Sequence, residues 1–465
     1  MMVAAAAGIL ICFLAAGLLG ARRRDTTVAG FVLAGRGLPP LLGALAMTAA
    51  WVDGGYLLGT AEGAFHQSVW HGAQGGLLFG GSLVLGGLFF AKPMRRAGYS
   101  TMAGPFEARY GARWAAVLLI PALAAELIWC AELLASAGST LGVMGGVSFT
   151  AAVVGAALAV TAYTIAGGMW SVVYGDIAQI GVAAAGLILA VAWILPAAGG
   201  WDPVWAAYRP TADWSFAARL RSADTSVMLL LGGIPWNCYF QRVLSSRNEN
   251  EARSMSLWSG AAVMLFTIPP LLLGVAAFSH PWSAEAAARL RERPSEALPA
   301  LLNAALPVWA ALLGLAAILG AVTSSYASSL LSAASLYGCN VRARFTGKPL
   351  GVGAIRGAAV AMGLLAVAGA LRVRSVQALW FFTSDLVFVL LFPQLVYALF
   401  DRRANRAGSM AALGVSLAAR LAAGEPLIGL PAIVALPDWF PHRTAAAALG
   451  LVVLPVVSRL WERRL

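Results

Sequence analysis

Residues 51–55 of the chain read Trp51-Val52-Asp53-Gly54-Gly55, and they lie in the middle of an apolar segment long enough to cross a membrane. An aspartate followed by two glycines is a helix-breaking sequence at a depth where backbone groups are normally paired within a helix. A second apolar segment is interrupted by Gly232-Gly233-Ile234-Pro235-Trp236. Each break carries a tryptophan, although this residue usually favours the two bilayer interfaces. The two stretches predict a pair of membrane helices that are broken at mid-depth.

The composition around these segments indicates an integral membrane protein of the all-α class. The 465 residues are 60% hydrophobic and 11% charged, with a mean hydropathy of +0.79. A helix needs about 20 apolar residues to cross the hydrocarbon region of a bilayer. We therefore predict one transmembrane domain over residues 1–465, with about thirteen spans: 2–20, 38–59, 74–91, 114–144, 148–168, 175–198, 224–245, 254–279, 300–340, 351–371, 376–400, 408–423 and 443–461.

The net charge of +12 does not indicate nucleic acid as a partner, because most basic residues recur at alternate ends of the spans. This distribution follows the positive-inside rule for loops that face the cytoplasm. It predicts an extracytoplasmic N-terminus and a cytoplasmic C-terminus. Five arginines are exceptions that this topology places outside. The composition and the absence of a long tail favour the cell membrane of a bacterium, that is, its inner membrane. The cytoplasmic clusters are residues 22–24, 92–96, 242–253, 342–348, 402–406 and 459–464.

The spacing of the two breaks predicts internal symmetry. The breaks fall in the second and seventh spans, and an odd offset of five spans places two repeats in opposite orientations across the membrane. The repeats would cover residues 38–198 and 224–400, with an extra helix at 1–22 and two C-terminal helices over 408–461. A kink that serves packing is the alternative for either break. Unwound backbone facing protein or a cavity instead exposes carbonyl and amide groups that can bind ions and substrates.

A third tryptophan, Trp129, also lies at mid-depth, and with Trp51 and Trp236 it suggests a cage for a cation. The indole face attracts a cation, and each contact contributes about 0.5–2 kcal/mol. A quaternary ammonium has no N–H donors, so aromatic faces suit it better than carboxylates alone. Choline and betaines are the obvious ligands. The alternative for each indole is ordinary packing.

A run of hydroxyl residues over 321–329 is the second unusual feature at membrane depth. Such hydroxyls can simply bond to their own helix. The alternative is a sodium site, in which Ser324 and Ser325 supply oxygen ligands together with carbonyls of the broken second span. A hard cation prefers oxygen donors of this kind.

Several long strings in this sequence closely resemble the high-affinity choline transporters of the sodium:solute symporter family. They occur in the same order as in that family, and the resemblance covers nearly the whole chain. The strings are residues 47–52 (MTAAWV), 86–95 (GGLFFAKPMR), 231–236 (LGGIPW), 239–246 (YFQRVLSS), 383–387 (TSDLV) and 392–395 (FPQL).

The resemblance implies a thirteen-helix LeuT-like fold and alternating access in which sodium entry drives choline inward. Trp51, Trp129 and Trp236 match aromatic positions of the family's choline pocket, and Phe79 stands where the family has a tyrosine. Trp380 matches an aromatic residue near the entrance, with an interfacial position as its alternative.

The resemblance also implies a sodium site built from backbone carbonyls and two serine hydroxyls. Sodium is then a co-transported ion, no cofactor is expected, and the need for chloride is left open. The positions that correspond to the family's sodium ligands are Ala49, Val52, Ala321, Ser324 and Ser325.

Three departures from the family's pattern concern charge. Ala327 replaces an aspartate that would contribute to a second sodium site, and Ala50 replaces a hydroxyl residue. Asp53 instead stands where the family has a glycine. Three interpretations of Asp53 are open: a solvated residue of a mobile break, a ligand of the ion or of the substrate ammonium, or a group that is protonated in part of the transport cycle. A carboxylate inside a membrane is costly and by default functional, which favours the last two. We expect the second sodium site to be weakened or absent, with one sodium per substrate.

Other function classes are less well supported. An enzyme would need a cluster of acids, histidines or a nucleophile with a partner, and the sequence shows none. A sensor would need an output domain, and paired breaks favour an occluded site over a channel. Another organic cation, a betaine or a proline-like zwitterion remains open as cargo, as does sodium-independent or proton-coupled transport. The sequence leaves the oligomeric state open between monomer and homodimer and assigns no role to Glu132, whereas Asp385 is expected to tie helices together.

Overall fold

The computed structural model describes residues 2–23, 27–210, 212–342, 351–372 and 376–462. Throughout these residues the regular structure is helical and contains no strand. The seventeen helices that build the bundle are α1 (Met2–Gly20), α2 (Pro40–Trp51), α3 (Gly54–His66), α4 (Val69–Leu85), α5 (Ala112–Gly145), α6 (Phe149–Gly167), α7 (Met169–Ala197), α8 (Phe216–Gly232), α9 (Asn237–Ser245), α10 (Glu249–Phe266), α11 (Ile268–Ser279), α12 (Val308–Leu336), α13 (Val352–Arg372), α14 (Val376–Leu386), α15 (Phe392–Phe400), α16 (Arg406–Ala422) and α17 (His442–Glu462).

Each of the thirteen predicted spans has a helical counterpart in the part of the chain that the structure describes. Ten helices are long and apolar enough to cross a membrane by themselves, and α2 and α3 form an eleventh span with a bend of 54°. The other two spans are the broken pair α8 and α9 and the 17-residue helix α16. The protein is therefore a multi-pass membrane protein.

The first break lies one residue earlier than the sequence suggested. Helix α2 ends at Trp51, and only Val52 and Asp53 depart from helical geometry before α3 begins at Gly54. The two glycines are helical, and they allow close packing: a Cβ on Gly54 would lie 2.7 Å from Val322, and one on Gly55 would lie 2.9 Å from a carboxylate oxygen of α5. The break itself is stabilised by Asp53, whose Oδ1 accepts from the backbone N–H of Tyr56 at 2.6 Å as an N-cap.

The second break spans four residues between α8 and α9. Helix α8 ends at Gly232, and Trp236 has an extended backbone just before α9 begins. Pro235 lacks the N–H that a continuous helix would need. Gly233 packs against Ser82, since a Cβ at this position would lie 2.2 Å from the serine hydroxyl. Both breaks therefore lie against other helices and not against lipid.

The ninth span is shorter than predicted. Residues 300–340 were expected to form one helix, but the structure has a short helix, Ala297–Ala305, followed by α12 from Val308. Pro307 separates them, because proline disfavours helical geometry in the residue before it and removes a backbone donor. Every residue of α12 from Gly314 to its end is buried. This helix, packed against α5 and α7, is the centre of the bundle.

Candidate functional site

A cavity lies between the two helix breaks. It collects side chains from α2, α4, α5 and α14 and from both breaks. All six residues predicted from the sequence to contact substrate line it, and two further residues, from α14, were not anticipated. The lining residues are Trp51, Asp53, Phe79, Trp129, Trp236, Trp380, Thr383 and Ser384.

The three central indoles form an edge-to-face chain around the cavity. The rings of Trp51 and Trp129 have centroids 6.2 Å apart at an interplanar angle of 70°, and those of Trp129 and Trp236 are 5.1 Å apart at 66°. The indole N–H of Trp236 donates to the Gly232 carbonyl at 2.8 Å, which fixes this ring at the end of α8. Roughly perpendicular neighbours present both faces and edges to one space.

Phe79 and Trp380 form another part of the wall, with ring centroids 5.5 Å apart. Trp380 is only 6% exposed and packs onto Gly59 and Gly75, two glycines that leave room for its ring. Its position in the cavity wall differs from the interfacial alternative considered for it. Thr383 and Ser384 follow on the same helix, and both hydroxyls donate to the Trp380 carbonyl.

Asp53 is buried and fully engaged as a hydrogen-bond acceptor. Its Oδ1 caps α3, and its Oδ2 accepts from the indole N–H of Trp129 at 2.7 Å. The carboxylate is 3% exposed, which argues against a solvated residue in a mobile break. Asp53 therefore orients one of the three central indoles and brings a negative charge to the cavity wall. The sequence indicated the charge but not the bond to Trp129.

The residues assigned to sodium lie next to the lining residues Trp51 and Asp53, where α2 meets α12. The hydroxyls of Ser324 and Ser325 are each 3.2 Å from the Ala49 carbonyl oxygen. Val52 and Ala321 are buried at the neighbouring positions of the two helices. Oxygen atoms of two helices thus converge beside the first break, which is the kind of donor set that a hard cation prefers.

Sequence reasoning missed an ion pair next to these serines. Asp176 of α7 accepts from Ser324 at 2.7 Å and from the Arg242 guanidinium at 2.8 Å, and both charged side chains are completely buried. The guanidinium also donates to the Ala46 carbonyl at 3.0 Å. Arg242 was grouped with a cytoplasmic cluster of basic residues, and the structure corrects this. The available signal was an aspartate inside a predicted span, which requires a cationic partner nearby.

The second sodium site was expected to be weakened or absent because Ala50 and Ala327 replace residues of the family's pattern. Ala50 and Ala327 are both buried. The hydroxyl of Ser328, next to Ala327, accepts from the guanidinium of Arg242.

Away from the cavity, Asp385 forms the helix-tying contact that was expected of it. Its Oδ2 accepts from Nε of Arg420 at 2.5 Å, so that α14 is joined to α16. Both side chains are buried, and Arg420 also pairs with Glu425.

A helical bundle with two broken spans around a small central cavity defines a membrane transport protein. Residues 31–416 match the sodium:solute symporter family, and the chain belongs to that family. It is 36% identical over 459 residues to high-affinity choline transporter 1 of Caenorhabditis elegans, an alignment that covers 93% of this chain and 78% of that protein. It is 36% identical over 428 residues to the human high affinity choline transporter 1, covering 88% and 73%.

Solved structures of other transporters share the fold. A substrate-bound, outward-open Na+-coupled sialic acid symporter is similar with a TM-score of 0.77 at 17% identity, over 99% of this chain and 98% of that chain. A manganese transporter of Eremococcus coleocola is similar with a TM-score of 0.53 at 14% identity, over 95% and 97%. The fold is LeuT-like, and the family membership makes the protein a transporter and not an enzyme.

Proposed function

We propose that this protein imports choline by sodium-coupled alternating access and holds the quaternary ammonium among the indoles of Trp51, Trp129 and Trp236. The observation that carries the proposal is the cavity itself, in which three tryptophans from two broken helices and α5 surround one space with a carboxylate in its wall. The named activity of the choline transporter relatives supports the same cargo.

The charge of the cavity wall favours a cation over a zwitterion. Asp53 is the charged lining residue, and no lining residue is cationic within the described part of the chain. A trimethylammonium group gains from the indole faces and from the nearby negative charge, and it needs no hydrogen-bond acceptor. The carboxylate of a betaine or of proline would meet Asp53 without a basic partner, which is unfavourable at a buried site.

The polar end of choline has a matching region. The hydroxyls of Thr383 and Ser384 donate to the Trp380 carbonyl, at 2.7 and 3.1 Å, so their oxygen atoms remain available as acceptors. A choline hydroxyl that donates to either of them places the ammonium towards the three indoles. Two ends of the cavity with different chemistry would orient the substrate.

The shared helix α2 supports the proposed coupling between sodium and substrate. We assign the sodium to the carbonyls of Ala49, Val52 and Ala321 and the hydroxyls of Ser324 and Ser325. Ala49 and Trp51 belong to the last turn of the same helix, so an ion that fixes the Ala49 carbonyl also fixes an indole of the cage. Binding of sodium or of choline then favours the same conformation of the break. Because each ligand binds that conformation more tightly, binding of one raises the affinity for the other, as coupling requires.

A stoichiometry of one sodium per choline is part of the proposal. Ala327 offers no carboxylate, and the charge of Asp176 is already balanced by Arg242. A second cation in this region would have to displace or repel a buried guanidinium, at a considerable electrostatic cost.

Competition binding tests the cargo. Purified protein in sodium buffer is titrated with choline, tetramethylammonium, glycine betaine and proline, and binding is followed by calorimetry. We expect choline and tetramethylammonium to bind and to compete with each other, and betaine and proline to bind much more weakly. Tighter binding of betaine than of choline would refute the role of Asp53 and favour a zwitterion as cargo. Choline binding that is identical in sodium and potassium buffers would refute the coupling.

A further inference from the structure

Glu132 is a buried acid that the proposed mechanism does not use. It lies in the middle of α5 with no exposed surface, and its Oε1 accepts from the Ser136 hydroxyl at 2.9 Å. Its Oε2 is buried and has no hydrogen-bond partner among the residues that the structure describes. The carboxyl group faces the start of α3, since a Cβ on Gly55 would lie 2.9 Å from Oε1.

Within the described residues, no compensating positive charge interacts with Glu132. The charged or titratable groups that interact with it within the described residues are Asp53, at the broken helix, and Cys130, on its own helix. Tyr326 of α12 interacts with Cys130 in turn. None of these groups is a cation. An ionised Glu132 would therefore be a buried carboxylate that is repelled by Asp53 and has one unpaired oxygen, which is a costly state.

Glu126, two turns earlier on α5, is a useful contrast. It is equally buried, but both of its carboxylate oxygens accept hydrogen bonds, from the hydroxyls of Ser329 and Ser332. It also interacts favourably with Arg242. Asp53 resembles Glu126 in that both of its carboxylate oxygens accept hydrogen bonds, in this case from N–H donors. Among these three acids, Glu132 is the one whose hydrogen bonding fits the neutral form. A proton on Oε2 neutralises the carboxylate, so no negative charge is left on a buried oxygen without a hydrogen-bond donor.

We propose that Glu132 is a proton-binding site that is occupied while the cavity is empty and releases its proton when an organic cation enters. The inference rests on the proposed function, because the entering charge is the ammonium of the substrate. Without substrate, the negative charge of Asp53 disfavours a second carboxylate beside it. An ammonium near Asp53 offsets that repulsion, so the O–H bond of Glu132 dissociates and the proton passes to water. One positive charge enters and one leaves, and the total charge of the site is unchanged.

Two titrations of choline test this, in buffers with different enthalpies of protonation at the same pH. The difference in heat between the buffers counts the protons released. At pH values where Glu132 is protonated in the free protein, we expect the release of nearly one proton per choline bound. The affinity for choline should then rise by up to about tenfold for each unit of increasing pH, because the proton and choline exclude each other. The variant Glu132→Gln has the shape of the neutral acid, so it should fold and bind choline with no proton release and no such pH dependence. The variant Glu126→Gln is the matched control, and it should still release the proton.

Infrared spectroscopy of the substrate-free protein supplies a reading that does not depend on choline. A protonated carboxyl group gives a C=O stretching band distinct from that of a carboxylate. We expect this band in the wild type, its loss in Glu132→Gln and its decrease on addition of choline. Absence of the band, or its persistence in Glu132→Gln without any loss of intensity, would overturn the inference even if choline binds. A wild type that binds choline without releasing a proton would overturn it as well. If sodium instead of a proton lay between Asp53 and Glu132, the C=O band of the protonated acid would be missing, and this result would also overturn the inference. Failure of choline to bind at all would instead refute the proposed function.

Discussion

Trp129 shows how a single residue can connect the helix break to the cavity. Its ring faces both other central indoles, and its N–H donates to the carboxylate that caps α3. The orientation of this ring therefore depends on the same Asp53 that begins the second half of the broken helix. A movement of the break changes the shape of the cage, because the two are joined by one hydrogen bond.

Removing the ring of Trp236 should weaken choline binding directly. Trp236→Ala loses a cation–π contact worth about 1–2 kcal/mol, which corresponds to a roughly 5- to 30-fold loss of affinity. Trp236→Phe keeps an aromatic face and should lose less. Calorimetric binding constants check this, with Trp205→Ala as a control on an exposed tryptophan outside the cavity. An equal loss in the control would show that the effect is not specific to the cage.

The charge of Asp53 can be separated from its role as a helix cap. Asn also caps helices and can accept the Tyr56 N–H through its amide oxygen, but its NH2 group would then face the Trp129 N–H, which is also a donor. Asp53→Asn therefore keeps the cap and loses the bond to Trp129, and it should change thermal stability only modestly. It removes a negative charge near the ammonium, and we expect choline affinity to fall by at least about tenfold, or about 1.4 kcal/mol. Thermal unfolding and binding should be measured together. A large loss of stability with unchanged affinity would make Asp53 a structural cap only.

At this scale, unusual residue types in the sequence identified half of the cavity lining, and the resemblance to the choline transporters added Phe79 and Trp380. Tryptophan favours the membrane interfaces and a buried aspartate is costly, so these residues at mid-depth indicate a functional site. Thr383 and Ser384 were missed as lining residues because a hydroxyl on a membrane helix ordinarily bonds to its own backbone, and these two do so while also facing the cavity. The partnership of Asp176 with Arg242 was missed because it joins residues 66 positions apart.

At the scale of elements, the glycines after the first break serve packing. Gly54 and Gly55 lie within α3, where Ser136 and Glu132 of α5 occupy the space that a side chain would need. Composition alone could not distinguish a glycine that permits unwinding from one that permits close approach. The predicted break was therefore displaced by one residue. The ninth span was also predicted wrongly, because it was drawn through Pro307, which separates two helices.

An alanine at Gly54 should strain the contact between α3 and α5. The added Cβ would lie 2.7 Å from both Ser136 and Val322 in a region without free space. Overpacking of this kind costs about 1–3 kcal/mol. Gly155→Ala is the matched control, because its Cβ would meet nothing within 4 Å and alanine favours a helix by up to about 1 kcal/mol. Thermal unfolding in detergent compares the two. Equal stability of both variants would contradict the packing explanation.

At the scale of the molecule, one buried ion pair joins four helices around the residues proposed to bind sodium. Arg242 on α9 contacts the Ala46 carbonyl on α2, Asp176 on α7 and Ser328 on α12. Asp176 in turn accepts from Ser324. The helices that begin or end at the two breaks are thus connected to the central helix through polar groups that are completely buried. The fold class could be predicted from span count and break spacing, whereas this network depends on three-dimensional packing.

Breaking the pair from one side should be severe. Arg242→Met leaves Asp176 as an uncompensated buried charge, a change that typically costs about 3–5 kcal/mol. The double variant Arg242→Met with Asp176→Asn removes the charge and should regain much of the loss. Unfolding temperatures of the wild type, both single variants and the double variant form the required cycle. No recovery in the double variant would show that the two side chains act independently.

The most direct test of the account is uptake of radiolabelled choline into proteoliposomes, with an inward sodium gradient or with potassium in place of sodium. The account predicts accumulation above equilibrium only with the sodium gradient, and a sodium dependence with a Hill coefficient of about one, as expected for a single ion site. Ser324→Ala should need more sodium for half-maximal uptake. Equal uptake in sodium and potassium, or no choline uptake by protein shown to be folded, would contradict the central claim.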